Sequence, residues 1–517
     1  MRRLTTFLFA ICFYVMPAQA QDTVLINNII REVESNNMLR QLGMELTDGI
    51  GPRLMGTPQM KQANEWLAAK YQSWGIKAEN QRYGEWRGWE RGITHIDMIS
   101  PRVHTLTGRM LAWSPATPRG GVTADVVLLP DANDSATFAN ALAGGAVRGK
   151  LVLISRPEPT GRTDANWEKY GRRESIDKMR ENRSQETRDW NEKMRRTGLN
   201  ARQLATALEN AGALGLISSN WSREYGANKI FGANTRKVPT VDVSLEDYGM
   251  LYRMVQQGIV PKLRLVAESK DLGMQPAFNT IATIPGSEKA DEYVVLSAHF
   301  DSWDGGTGAT DNATGTLVMM EAMRLLKKYY PNPKRTIVAG HWGGEEQGLN
   351  GSRAYVYDNP EMMKKVQAVL NQDNGTGRIQ TINGSGFLHA YDFLGRWLSA
   401  VPSKYRQDLQ THFPGSPGGG GSDHASFVAA GVPGFFLSAL SWDYGTLTWH
   451  TNLDTYDKIV FDDVEYNVII TAILAYMASE DPEFASREQM RLRGTDRFGR
   501  PQAWPPVRDA NRRGGMD

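Results

Sequence analysis

Tyr293-Val-Val-Leu-Ser-Ala-His299-Phe300-Asp301 runs into Ser-Trp-Asp-Gly305-Gly306-Thr-Gly308-Ala-Thr-Asp311, and an amphipathic stretch from Gly315 to Tyr330 follows. An unbroken apolar run of strand length, a glycine-rich loop and a helix of period 3.6 make one strand–loop–helix unit. The same pattern recurs from Phe278 onward, with Thr336–Ala339, Val366–Leu370 and Gly434–Leu437 as further strands. Repetition of this unit predicts an α/β fold with a central sheet flanked by helices.

Open α/β sheets place their sites beyond the carboxyl ends of the strands. His299, Glu345-Glu346 (after Gly343-Gly344) and Asp373 all fall there, and Asp311 opens a helix after its glycine-rich loop. His450, in Trp449-His450-Thr451, adds a second imidazole. Imidazole nitrogen and carboxylate oxygen are what zinc takes where no thiolate is offered. The set is large enough for two zinc ions sharing one water. Asp301 is too close in sequence to His299 to bind the same ion easily. Its expected role is to accept the other ring N–H and fix the tautomer. Glu345 and Glu346 are neighbours in a turn and point different ways, so one can bind metal while the other holds the attacking water. Each element alone has a plain reading, such as a solvated glutamate pair or an Asp-Asn-Gly turn; their joint occurrence at strand ends favours a site.

His299-Phe-Asp-Ser-Trp-Asp, Gly308-Ala-Thr-Asp311, Glu345-Glu346-Gln-Gly and Val432-Pro-Gly resemble the co-catalytic di-zinc exopeptidases. The Ser302-Trp303-Asp304 continuation and Pro333-Lys-Arg335 look nearest to the carboxypeptidase Q branch, and the similarity extends to about residue 480. It implies a mixed central sheet of the zinc exopeptidase fold carrying an inserted protease-associated α/β domain. It also implies two Zn2+ per chain. His299 and Asp373 would hold one, Glu346 and His450 the other, with Asp311 bridging and Glu345 as general base. Two segments depart from that branch. Ser422-Asp423-His424 after Gly418–Gly421 looks more like the aminopeptidase members, and Ser441–Thr448 has no counterpart. Both bear on whether attack comes from the amino or the carboxyl end of a peptide.

The rest of the chain is consistent with an exported enzyme. Arg2-Arg3, the apolar Leu4–Met16 and Ala18-Gln19-Ala20 read as a signal peptide cleaved near Ala20, implying a periplasmic or secreted protein. Cys12 is the only cysteine, so the mature chain has no disulfide and its core alone must hold it. A hydrophobic content of 41% with 14 Trp is ample for that core. A net charge of +2 gives no reason to expect nucleic acid, and no stretch after residue 20 reads as a membrane span. The partners expected are peptide substrates, with a homodimer left open. The domains expected are 1–20 (signal), 21–104 (N-terminal part of the peptidase), 105–268 (insertion), 269–485 (catalytic) and 486–517 (Arg-rich tail). Met60, Ala63, Leu67 and Tyr71 mark a helix closed by Gly75. Within the insertion, Asp125–Leu129, Leu151–Ile154, Leu214–Ile217 and Val241–Val243 read as short strands and Ala201–Asn210 as a helix. Residues 160–200 form a charged helical excursion, either simply solvated or a lid. The tail has eight Arg against four acids from Arg487 on, and either wraps the surface or is disordered.

Further candidates are open. Gly420, in the Gly418–Gly421 run, offers backbone N–H groups to a substrate or is a turn. His424 lines the pocket or is packed; Tyr444 donates to the tetrahedral intermediate or is a rim aromatic. His341 reads as a core histidine, and His95, His104, His389 and His412 have no evident partner. A general aminopeptidase of the same family is the alternative function. A glutaminyl-cyclase-like transferase would need only one metal, and a non-catalytic binding protein would need no Glu345.

Overall fold

A computed structural model of the chain describes residues 18–417, 421–495 and 499–515. The signal-peptide reading therefore falls mostly outside the described residues, as does Gly420. A helix begins at Ala18 and runs to Asn36. No helix among the described residues is long and apolar enough to cross a membrane.

The fold is mixed α/β. Four parallel strands form its centre, in the order Gly434–Ala439, Val366–Asn371, Lys289–His299 and Arg335–Trp342. Antiparallel strands flank them, Ile379–Asn383 on one side and Lys262–Ile284 on the other. The apolar runs read from sequence are the inner parts of these strands, every residue of Arg335–Trp342 and Val366–Asn371 being buried. Strands covered on both faces need no alternation. Helices Thr314–Tyr329 and Phe461–Glu480 cover one face, where Leu317, Met320, Val468 and Leu474 join the largest core. Trp342, Tyr355 and Phe427 fill the other. Pro58–Ser73 is the helix expected from its apolar face: Thr57 caps it by accepting from the Met60 N–H, and Pro58 opens it.

Two long strands were not evident in the sequence. Lys77–Ser100 pairs antiparallel with Lys262–Ile284 along nearly its whole length, with register shifts at Arg82/Gly84, Gly88/Trp89, Arg91/Thr94 and Met98/Ser100. Those bulges and the exposed charges between them break the period-two alternation that reveals a strand. The ribbon leads out of the central sheet. At its far end Val122–Leu128 pairs with Lys262–Leu265, and the sheet continues through Leu151–Leu153, Gly215–Ser218, Thr240–Val243 and Gly108–Met110. This outer unit has its own cores, one around Trp89, Val126 and Leu251, the other around Phe138, Leu208 and Leu216. The charged excursion is helical, as Asp164–Tyr170 and Arg173–Thr197, and the second helix buries Ile176 and Met179.

The described part of the tail lies against the surface. Trp504 packs on Phe387 and donates to the Val428 carbonyl, Arg512 pairs with Asp358, and Arg513–Gly514 add a short parallel strand beside Glu85–Trp86.

Candidate metal centre

The seven residues singled out by the motifs meet at the carboxyl end of the parallel strands. His299 is the last residue of its strand, Asp373 lies two residues beyond Asn371, and Glu345 and Glu346 follow Trp342. Asp311 sits in the turn Ala309–Ala313 ahead of Thr314–Tyr329. Two glycines make these approaches feasible. Gly308 has φ +61°, and a Cβ there would stand 2.3 Å from the Ser302 Cβ. Gly344 has φ +73°, and a Cβ there would stand 2.6 Å from the Tyr83 hydroxyl.

The side chains form two adjoining sets, His299, Glu345 and Asp373 in one and Asp311, Glu346 and His450 in the other. His299 Nε2 is 3.1 Å from Asp373 Oδ1 and 3.3 Å from Asp311 Oδ1. His450 Nε2 is 2.7 Å from Glu346 Oε2 and 3.3 Å from Asp311 Oδ2. The two oxygens of Asp311 thus face different imidazoles.

The residues fit a cation, on chemistry alone. His299 Nδ1 stands 3.0 Å from the Asp301 carbonyl, which only accepts, so that nitrogen carries the proton. Nε2 then turns a lone pair toward two carboxylates, which is repulsive unless a proton or a metal intervenes. Buried Asp311 Oδ2 and Glu346 Oε1 have no hydrogen-bond partner. Burial and neighbouring carboxylates hold the Glu345 and Glu346 carboxyls well above their ordinary range. Burial alone would lower His299, but Asp373 and Glu345 overrule it and raise the ring. Clustered anions with too little positive charge account for all three directions.

Asp301 departs from its expected role in one respect. Its main-chain carbonyl, not its carboxylate, faces the His299 Nδ1, the nearer carboxylate oxygen being 3.7 Å away. Its carboxylate instead accepts from the backbone N–H groups of Glu345 (3.0 Å) and Glu346 (3.3 Å). One residue therefore orients the histidine and anchors the glutamate turn. The turn after Trp342 sets two backbone N–H groups on the carboxylate, which at 3.7 Å stays beyond hydrogen-bonding distance of the ring.

Three contributors carried no sequence signal. Asp454 accepts from the backbone N–H groups of Thr310 (2.7 Å) and Asp311 (3.0 Å), and its burial pushes its carboxyl up to about 7. Arg53, fully buried, donates to the carbonyls of Phe300, Thr307 and Gly308, bracing the loop between His299 and Asp311. Lys229, from the outer unit, donates to the carbonyls of Gly445 (2.8 Å) and Trp449 (2.5 Å); burial lowers its ammonium to about 8. Its neighbour Ile230 donates to the His450 carbonyl at 2.7 Å. Arg53 and Lys229 lie far from the motifs in sequence, and Asp454, only four residues after His450, belongs to none of them.

The Tyr444 side chain is half-buried and feels the carboxylates of Asp311 and Asp373, so it lies inward of the rim. Burial and the surrounding carboxylates raise its phenol. His424 is buried, with its ring tilted against Phe436 at 5.0 Å, and burial lowers it to about 4, a packed neutral imidazole. His341 is a core histidine, 2.7 Å from the Tyr71 hydroxyl. His104 faces Asp247 and His389 faces Glu488, partners that proximity in sequence did not reveal. Trp449 stacks on the His450 ring at 4.0 Å, and Phe231 and Trp303 meet it edge-on.

A mixed α/β sheet with paired histidine–carboxylate sets at its strand ends defines the class as metallopeptidase, and comparison with known proteins agrees. Residues 279–474 match peptidase family M28. Mouse carboxypeptidase Q is 26% identical over 465 residues, covering 90% of each chain. A crystal structure described as a peptidase M28 precursor from Shewanella amazonensis aligns with 90% of this chain and 99% of its own, at TM-score 0.65 and 25% identity. A zinc aminopeptidase from Bacillus subtilis shares the fold at TM-score 0.56 and 19% identity, over 87% of this chain and 96% of its own.

Proposed function

We propose that the protein is an exported di-zinc exopeptidase that hydrolyses dipeptides or short peptides in the manner of carboxypeptidase Q. The observation that carries this reading is Asp311, whose two oxygens face His299 and His450 at 3.3 Å each. One carboxylate between two imidazole–carboxylate sets is the arrangement a pair of cations needs. His299 and Asp373 would hold one zinc, Glu346 and His450 the other, and Asp311 would bridge. A donor set of nitrogen and oxygen with two imidazoles favours zinc over calcium or magnesium, which take oxygen.

When bound, the zinc ions lower the pKa of a shared water and polarise the scissile carbonyl. Glu345 takes the proton of the attacking water and returns it to the leaving amine. Asp301 fixes the backbone from which Glu345 projects. Tyr444, near the same carboxylates, would donate its hydroxyl to the tetrahedral oxyanion. Residues 105–268 would be a protease-associated domain that encloses the site, which suits short substrates. The aminopeptidase alternative rests on Ser422-Asp423-His424, where Asp423 is buried with both carboxylate oxygens unpartnered.

The test is mass-spectrometric cleavage of a panel by zinc-loaded protein, with metal counted on the same sample. The panel holds free, N-blocked and C-amidated dipeptides and a hexapeptide. Cleavage confined to dipeptides, lost on amidation, and two zincs per chain is the expected result. Sequential trimming of the hexapeptide that N-blocking abolishes makes it an aminopeptidase. No cleavage with two zincs bound removes the peptidase reading, and a single zinc revives the cyclase-like one.

A further inference from the structure

We propose that a cavity in the outer unit receives an apolar side chain of the substrate, with Phe231 as the wall it shares with the metal centre. The inference rests on the exopeptidase reading and deepens it.

The cavity holds about 380 Å³. Its floor is Leu204, Ala205 and Leu208 of the helix Ala201–Asn210 together with Leu216 of the adjoining strand. Trp190 and Met194, two of the few apolar residues of the charged helix Arg173–Thr197, close one side. Close-packed interiors leave few voids larger than a water molecule. A space of this size falls instead in the range of small-molecule sites.

The chemistry of the lining selects the occupant. No Asp, Glu, Lys, Arg or His borders the cavity. Apart from the exposed Asn234, the Ser, Thr and Asn side chains that do are already engaged within the protein. Ser155 accepts from the Ser219 N–H, Ser218 and Asn220 donate to Asp242, and Thr240 bonds Thr235. None of the buried polar atoms without a partner belongs to the lining. A charged terminus would lose its hydration there without compensation, whereas a hydrocarbon side chain would gain.

Position supplies the link to peptide hydrolysis. Phe231 borders the cavity, is 37% exposed, and its ring lies 5.4 Å from that of His450 and 5.4 Å from that of Trp303. Gly232 next to it also borders the cavity, and a Cβ there would stand 3.1 Å from the Trp113 ring. The backbone at this wall therefore lies close between the cavity and the aromatic cluster around His450. A peptide bound at the metal centre has its charged ends outside and one side chain beside Phe231.

The test compares kcat/KM for Leu-Leu and Ala-Ala in the wild type, in Ala201→Trp and in Met194→Ala. Ala201 is exposed in the first turn of its helix, so the indole fills the cavity from its mouth. Met194→Ala enlarges it. A missing methylene in an apolar pocket is worth roughly 10–200-fold. Ala201→Trp should therefore lower kcat/KM for Leu-Leu at least about tenfold and leave Ala-Ala within about twofold. Met194→Ala should shift preference toward Phe-Phe. Equal change on both peptides, or none with either variant, overturns the proposal. If the wild type cleaves neither, the exopeptidase reading fails separately, and calorimetric titration with Leu-Leu decides about the cavity. Binding weakened about tenfold by Ala201→Trp supports it, and binding that is absent or indifferent to the substitution refutes it.

Discussion

His299 closes a strand with parallel neighbours on both sides, and its ring is 1% exposed. His450 lies in a loop, is 13% exposed and has φ +52°, a left-handed conformation that costs a non-glycine residue strain. The first is fixed by the sheet that also buries the core. The second is fixed from outside, by Trp449 stacked on its ring, by Ile230 on its carbonyl and by Lys229 on the carbonyl before it. One half of the centre is inherent in the fold of the peptidase unit, and the other is completed only when the outer unit is docked. The two halves should respond differently to the same kind of damage.

The largest expected effect is on the residue that serves both. Glu345→Gln keeps the shape of the turn held by Asp301 and removes the base. Activity should fall roughly 10²–10⁴-fold, while zinc content and melting temperature stay at wild-type values. Zinc content would be read by mass spectrometry under native conditions and activity with the best dipeptide. Loss of an ion along with activity would make Glu345 a ligand and not a base, which its place beside His299 and Asp373 keeps in view.

Removing each histidine separates the halves. His450→Ala should release one zinc and leave the other and the melting temperature largely unchanged, because the loop carries little of the core. His299→Ala should cost one zinc and also stability, since it leaves buried Asp373 and Asp311 facing each other without a positive partner. Calorimetric melting of the two metal-free variants gives the comparison. Equal melting temperatures would show that the sheet does not hold the first half more firmly.

The difference also explains what was legible in the sequence. The His299 half could be read because its ligands end apolar runs of strand length, where a polar residue stands out. For the His450 half, the grouping of Glu346 with His450 around one ion came only through a resemblance, since nothing in Ser441–Thr448 has a period. Its supports, Lys229 and Ile230, are brought close by folding of the outer unit, which no local pattern encodes. Asp454 and Arg53 escaped for a related reason. They act on backbone groups, and a side chain that bonds backbone needs no companion motif. The long ribbon Lys77–Ser100 escaped because its bulges shift the alternation three times between Arg82 and Thr94.

Lys229→Met is the direct test of the clamp. It keeps the aliphatic stem against the Trp449 ring, over which the ammonium lies at 4.5 Å, and removes the two hydrogen bonds. Groups that orient a ligand from behind typically contribute 10–100-fold to metal affinity. One of the two zincs should therefore bind roughly that much more weakly and the other unchanged, with Lys229→Arg restoring most of the loss. A competition titration with a chromogenic chelator resolves the two steps. Equal weakening of both sites would mean that the outer unit acts on the whole centre and not on the His450 loop.

The smallest effect concerns the sheet behind His299 and is visible only in acid. His341 lies on the neighbouring strand, paired with Ala298, and its ring is 6.1 Å from Phe300. Burial lowers it to about 3. A histidine whose folded pKa is depressed binds more protons unfolded, near its ordinary value of about 6.5. Its stability contribution is thus complete above pH 6.5 and declines as pH falls from there toward 3, by about 1.4 kcal/mol per unit within that window. Replacing both partners, as Tyr71→Phe with His341→Leu, leaves no buried polar atom unpaired. Urea unfolding of metal-free protein at pH 7 and pH 5 should then show a smaller acid loss in the double variant than in the wild type. An identical loss would place the acid sensitivity in the carboxylate cluster instead. The rigid half would then depend on its metal as much as the clamped half does.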